Sequence, residues 1–147
     1  MNNIKEELTK MLNKALKLEH AARIQYLTHA ELVKGAGAEK IIERLKEIAS
    51  DEQEHEEIFR ELIGDYLGGK PTMGLAETFE AKDTKEILEV NLKGEKEAVD
   101  FYKRIYKKVV ENKEHLQYEY ETLEHGIRHV IMDEQEHIVE LSLLLGL

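Results

Sequence analysis

Asp51-Glu52-Gln53-Glu54-His55 recurs letter for letter as Asp133-Glu134-Gln135-Glu136-His137. Both copies sit inside apolar repeats of helical period. The first lies in Leu45, Ile48, Glu52, His55, Phe59 and Leu62, and the second in Ile127, Val130, Glu134, His137 and Leu141. Spacings of three and four place each set on one helix face, the face that a bundle buries. A glutamate and a histidine one turn apart therefore occupy core positions twice in the chain.

Working outward, the pattern predicts four helices and no strand. The first runs from about Ile4 to Lys34 and stops at Gly35-Ala36-Gly37, and the second runs from about Ala38 to Tyr66. Glycine just past the last periodic residue is a helix stop signal. A connection of about eighteen residues follows, carrying Pro71, with Leu75 and Phe79 expected to pack over the bundle. Asp83 or Thr84 caps the third helix, with Glu86 placed for a capping box, and that helix ends near Glu111. The fourth runs from about His115 to Leu145. Short turns make helices 1 and 2, and helices 3 and 4, antiparallel hairpins. The long link can cross the length of the bundle, roughly 40 Å at 1.5 Å per residue, which lets helices 2 and 3 run parallel. The repeated pentapeptide falls in the second helix of each hairpin, as a duplicated hairpin would place it.

The other two seams carry glutamates as well. Helix 1 gives Leu8, Leu12, Ala15, Glu19, Ala22, Tyr26 and Val33; helix 3 gives Leu88, Asn91, Glu95, Ala98, Tyr102, Ile105 and Val109. Glu19 and Glu52 are equidistant from the first turn, and Glu95 and Glu134 from the second, so each hairpin brings its pair level. An unpaired carboxylate buried in a core costs several kcal/mol, on the order of what a whole domain has to spare. Four at one height need a common counter-charge. Glu19, Glu52, His55, Glu95, Glu134 and His137 are thus expected to bind two metal ions. Carboxylates with neutral imidazole suit iron, with manganese the second choice, better than all-oxygen calcium or tetrahedral zinc. The competing reading is a misframed acidic stripe with ordinary core histidines. Asp51 and Asp133 are placed to accept the second ring N–H of a ligand histidine across the bundle, or are plain surface residues. Tyr26 and Tyr102 read as core, or as redox-active or hydrogen-bonding neighbours of the site. His20, His29, His115, His125 and His129 read as surface or bundle-end residues.

Composition narrows the class. The 147 residues are expected to form one domain. Cysteine is absent, which excludes disulfides, zinc ribbons and rubredoxin-type iron centres. A net charge of −10 opposes binding to nucleic acid or anionic membrane. No apolar leader or membrane span is evident, so a soluble, cytoplasmic protein is expected.

Glu19-His20-Ala21-Ala22-Arg23-Ile24-Gln25-Tyr26 resembles the first-helix ligand segment of the bacterioferritins, and the two Asp-Glu-x-x-His segments resemble their second and fourth helices. The resemblance covers nearly the whole chain. It implies an all-α, ferritin-like antiparallel four-helix bundle with one long crossover between helices 2 and 3, and the six ligands above. Where haem-binding members have methionine, this chain has Gln53, so no haem is expected. Ala98 stands where rubrerythrins carry an extra glutamate. The stretch between Glu95 and Glu134 is several residues longer than usual.

The implied function is a ferroxidase oxidising Fe(II) with O2 or hydrogen peroxide for iron storage or detoxification, as a homo-oligomer that is either a shell or a dimer. The alternative is a non-cage iron or manganese enzyme that reduces peroxide, related to rubrerythrin or manganese catalase. A third possibility is a metal carrier or bundle adaptor whose site only stabilises the fold.

Overall fold

The computed structural model describes residues 3–147. Met1 and Asn2, which begin the stretch read for an apolar leader, lie outside the described residues. Four long helices form the bundle: α1 (Ile4–Ala30), α2 (Ala38–Glu61), α3 (Thr84–Glu111) and α4 (Tyr120–Leu145). There is no strand among the described residues, and no helix is long and apolar enough to cross a membrane.

Cross-helix contacts give the directions. Ala15 on α1 meets Tyr102 on α3, and Gln25 meets Asn91, so α1 and α3 are antiparallel. Arg44 on α2 meets Glu140 on α4 at 2.5 Å, while Gly126 on α4 faces Leu62, so α2 and α4 are antiparallel too. Helices α2 and α3 therefore run parallel, as the long connection predicts. A Cβ on Gly126 would stand 3.3 Å from Leu62 and 3.4 Å from Ile58, so the missing side chain is what lets α2 and α4 approach.

The core fills the bundle in two apolar clusters. One gathers Leu8, Leu12, Phe59, Ile105, Leu123 and Ile127, the other Tyr26, Leu45, Ile48, Ile87 and Leu141. The predicted seams are buried throughout except at Ala22 and Ala98, which are half-buried.

Two boundaries differ from expectation, the end of α1 and the start of α4. Helix α1 ends at Ala30 instead of Lys34. Its last turn tightens through Glu31 N–H to Thr28 O and Leu32 N–H to His29 O, and Lys34 is tied to Thr84 at the start of α3 by two 3.2 Å hydrogen bonds. Helix α2 continues to Tyr66, but Leu62–Tyr66 widens into a π-helical turn. Helix α4 begins at Tyr120, since a 3-10 turn at Lys113–His115 and the fully buried Leu116 take up the extra length of this hairpin. The N-cap of α3 is Asp83, whose carboxylate accepts from Glu86 N–H at 2.8 Å. Glu86 returns the bond to Lys82 N–H, one residue earlier than a capping box requires.

The crossover (67–83) lies along α1, but polar groups hold it where apolar packing was expected. Leu75 and Phe79 remain about half exposed. Instead Asn13 bonds Lys70 O and Thr72 N–H, Lys17 O accepts from Ala76 N–H, and His20 meets Gly74 O at 2.6 Å. Gln25 accepts from Phe79 N–H at 2.7 Å, and His29 Nε2 donates to Phe79 O at 2.9 Å. His29 lies in the last turn of α1, a bundle-end position as one of its two expected places, but it is buried there, and His20 is also largely enclosed. Asn91 completes the strap. Its amide donates to His29 Nδ1 and Ile87 O, while its oxygen accepts from Gln25.

Removing one member leaves buried partners unsatisfied, which typically costs about 1–3 kcal/mol. Asn91→Ala is expected to destabilise the protein by that amount, read as a lower urea midpoint. A midpoint unchanged from wild type would show that the strap contributes nothing.

Candidate metal centre

Glu19 and Glu52 come level because α1 and α2 fold back about Gly35 and Gly37, both with positive φ that glycine adopts without strain. Glu95 and Glu134 come level about the α3–α4 turn. Both pairs meet at mid-bundle, where helical periodicity points all four carboxylates and both imidazoles inward. Each of the six residues is at most 3% exposed.

The six divide into two overlapping groups. Glu19, Glu52, His55 and Glu134 form one, and Glu52, Glu95, Glu134 and His137 the other; within each group one ligand atom per residue lies within 4.8 Å of the rest. Glu52 and Glu134 belong to both. His55 Nδ1 is 3.2 Å from Glu19, 3.3 Å from Glu52 and 3.1 Å from Glu134. His137 Nδ1 is 2.9 Å from Glu95, 3.4 Å from Glu134 and 3.6 Å from Glu52. The imidazole rings face each other with centroids 6.2 Å apart.

The far ring nitrogens cross between halves. His55 Nε2 meets Asp133 at 2.8 Å, and His137 Nε2 meets Asp51 at 2.9 Å. Each Asp of a repeated pentapeptide thus supports the histidine of the other copy. A carboxylate on Nε2 fixes Nδ1 as the donor that faces a metal.

Without metal, each ring has carboxylate oxygens at both nitrogens, so both nitrogens carry protons and the ring is an imidazolium. Burial opposes that charge, but hydrogen bonds to Glu134 and Glu95 push His137 up to about 11. His55 is raised in the same way by Asp133, Glu134 and Glu19. Burial, then the charge of Glu134, raises Glu19 to about 7 and Glu95 to about 8. Glu52 is pushed well up by burial and by Glu134 and Glu19. Burial works the same way on Glu134, yet hydrogen bonds from His137 and His55 hold it low. Protons therefore stand in for cations in the metal-free cluster.

Each of the two groups could hold a metal ion. Both oxygens of Glu52 and Glu134 Oε1 are buried without a well-aligned hydrogen bond among the described residues, with the imidazole nitrogens close by at 3.1 Å and 3.4 Å from Glu134 Oε1, so their lone pairs are left for an ion. Four carboxylates balance two 2+ charges, and two neutral imidazole nitrogens complete a mixed N/O set suited to iron or manganese.

A cavity of ≈ 330 Å³ opens between α1 and α3 and reaches Glu19, Glu52, Glu95 and Glu134. Its walls include Ala22 and Ala98, one turn beyond Glu19 and Glu95, with Phe79 of the crossover beside them. The small side chains make the opening, and neither histidine lines it. Tyr26 and Tyr102 are fully buried next to the carboxylates, and burial with the neighbouring negative charge raises both phenols, so they stay protonated.

One further group was not expected from the sequence. Glu56 is buried at the α1–α2 face, where Arg23, Arg60 and His20 surround it. It sits one position past His55, four residues after Glu52 and three before Phe59, on the edge of the seam that faces α1.

Proton storage has a thermodynamic consequence. Between about pH 4.5 and 8 the folded state keeps protons on Glu19 and Glu95 that the unfolded chain releases, and the raised His137 adds to this above its usual 6.5. Stability of the metal-free protein is thus expected to fall as pH rises through this window. Metal binding displaces the same protons and should reverse the trend. Urea midpoints at pH 5.5 and 8.5, with and without metal, check this; a metal-free midpoint that rises would contradict it.

Residues 9–147 match the family model of the ferritin-like domain. A bacterial ferritin of Neisseria meningitidis serogroup B is 36% identical over 94 residues, covering 63% of this chain and 60% of that protein; one from Neisseria gonorrhoeae matches equally. The matched region thus spans about 60% of the length of these curated relatives. A ferritin-like diiron-carboxylate protein of Bacillus anthracis superposes with a TM-score of 0.89 at 29% identity, over 99% of both chains. The Rhodobacter capsulatus bacterioferritin, solved with a metal-free dinuclear site and haem iron, gives 0.84 at 24% over 96% of this chain and 84% of that one, a likeness of fold alone. On sequence and architecture together, this chain belongs to the ferritin-like domain family.

Proposed function

We propose that the chain is a ferroxidase that takes two Fe(II) ions as substrate and oxidises them for storage or detoxification. The observation that carries this reading is the pair of four-residue groups sharing Glu52 and Glu134, with one histidine and one unshared glutamate each. Two Fe(II) held so closely supply two electrons together, so O2 becomes hydrogen peroxide, or hydrogen peroxide becomes two waters, with two protons taken up.

The protein's part follows from the geometry. Glu19, Glu52, Glu95 and Glu134 offset the charge of the ions, more strongly as Fe(III) forms. Asp51 and Asp133 hold His137 and His55 with Nδ1 inward. The cavity between α1 and α3 admits a small oxidant on the carboxylate side, while the apolar layers above and below exclude bulk water. Protons displaced from the histidines and raised glutamates leave as the ions enter. Likeness to bacterial ferritins supports an iron-handling role, and a homo-oligomer is part of the same proposal. Gln53, standing where haem-binding members of the resembling family carry methionine, speaks against haem.

Fe(II) added in air to the metal-free protein, followed by size exclusion with iron and protein detected together, tests the proposal. Iron far above two per chain on a shell-sized particle is the expected result. Iron that stops near two per chain on a small oligomer, with rapid peroxide consumption, would favour the peroxide-reducing alternative.

Glu19→Ala and Glu134→Ala should each abolish paired loading and oxidation, with helical circular dichroism retained. Glu134 serves both groups and Glu19 only one, so Glu134→Ala is expected to lower metal stoichiometry more. Unchanged oxidation in both variants would sink the site assignment.

A further inference from the structure

Outside the buried cluster, α4 carries a second pair of imidazoles that the proposed reaction does not use. His125 and His129 are one helical turn apart and both exposed. Their rings are stacked, with planes 16° apart and centroids separated by 6.5 Å. Residues four apart on a helix face are neighbours, and two histidines so spaced can bind one ion from a single helix. A metal–nitrogen bond to imidazole is about 2 Å, so two rings on one ion stand up to roughly 6.5 Å apart between centroids. The observed pair lies at that bound, and rotation about exposed side-chain bonds closes it further.

The surroundings favour a cation. Asp133 is the next residue along the same stripe, with Oδ2 3.4 Å from His129 Nε2. A carboxylate on one ring nitrogen leaves the other as the donor, the same arrangement that holds the buried histidines. Arg128, the nearest positive side chain in sequence, is paired with Glu124 at 2.6 Å and so does not oppose a second charge. Asp133 Oδ2 is also 2.8 Å from His55 Nε2, so one carboxylate touches a surface imidazole and a buried one.

We infer that His125 and His129 form a separate site for a first-row transition dication on the exposed face of α4, joined to the buried cluster through Asp133. Imidazole donors select such ions over magnesium or calcium. With two protein ligands and water in the remaining positions, the site exchanges its ion readily. It captures cations on the α4 side, opposite the cavity between α1 and α3. The inference does not depend on ferroxidase activity.

Isothermal titration of the untagged, metal-free 147-residue protein with Ni(II) tests it. Wild type is expected to bind one equivalent more than the His125→Ala/His129→Ala double variant. Each single variant should weaken that equivalent by about tenfold or more, the scale seen when support around a metal is removed. Glu19→Ala and Glu134→Ala should keep it. Cu(II) bound there should show an electron paramagnetic resonance signal with splitting from two imidazole nitrogens, reduced to one in either single variant. Equal stoichiometry in wild type and the double variant would overturn the site. So would loss of the extra equivalent in the glutamate variants, since the site would then not be separate. If only the histidine-dependent equivalent is found, the surface site stands and the reading of the buried cluster fails.

Discussion

Four carboxylates enclosed at one level of an apolar bundle repel one another in a medium that screens poorly. Helix packing alone does not tolerate this, and two features of the chain compensate. In the metal-free protein, protons held by Glu19 and Glu95 and by the imidazolium rings reduce the net charge. In a loaded protein, two dications would replace those protons at the same positions. The bundle is therefore built around a polar centre that must always hold positive charge, and the apolar clusters on either side fix how far apart its carboxylates stand.

The two hairpins meet this constraint in the same way. Each contributes one glutamate from its first helix and an Asp-Glu-x-x-His run from its second. Their separation is incomplete, however, because Asp51 and Asp133 each support the histidine of the opposite hairpin. Neither half holds its imidazole in the inward orientation alone. The site is thus a property of the assembled bundle, and the crossed pairs tie α2 to α4 across the face opposite the cavity.

The remaining asymmetry comes from the crossover. It lies on α1 through a line of polar contacts from Asn13 to His29, and the Gln25–Asn91–His29 network carries that line into the core. Strapping the chain there by its backbone leaves Phe79 free to line the mouth of the cavity instead of filling it. A path to the carboxylates stays open on one side of the bundle, where an apolar plug would have closed it.

Helical period, glycine stops and the repeated pentapeptide were enough to give four helices, two hairpins and a crossover. They also gave all six residues of the central cluster, because a charged side chain at a core position stands out against apolar neighbours. The placement of Asp51 and Asp133 was legible as one of two options, and contact across the bundle chose between them. The ends of α1 and α4, the burial of His29 and Glu56, and the exposure of Leu75 and Phe79 were not legible. Each depends on partners distant in sequence, such as Thr84 for Lys34, Asn91 for His29 and Arg23 for Glu56. Periodicity reports which face of a helix is inward; it does not report what waits on a neighbouring segment. The sequence by itself determined the fold and the residue types of the central cluster, and tertiary packing decided which glutamates the two groups share, which ring nitrogen of each histidine faces them, and on which side the cavity opens.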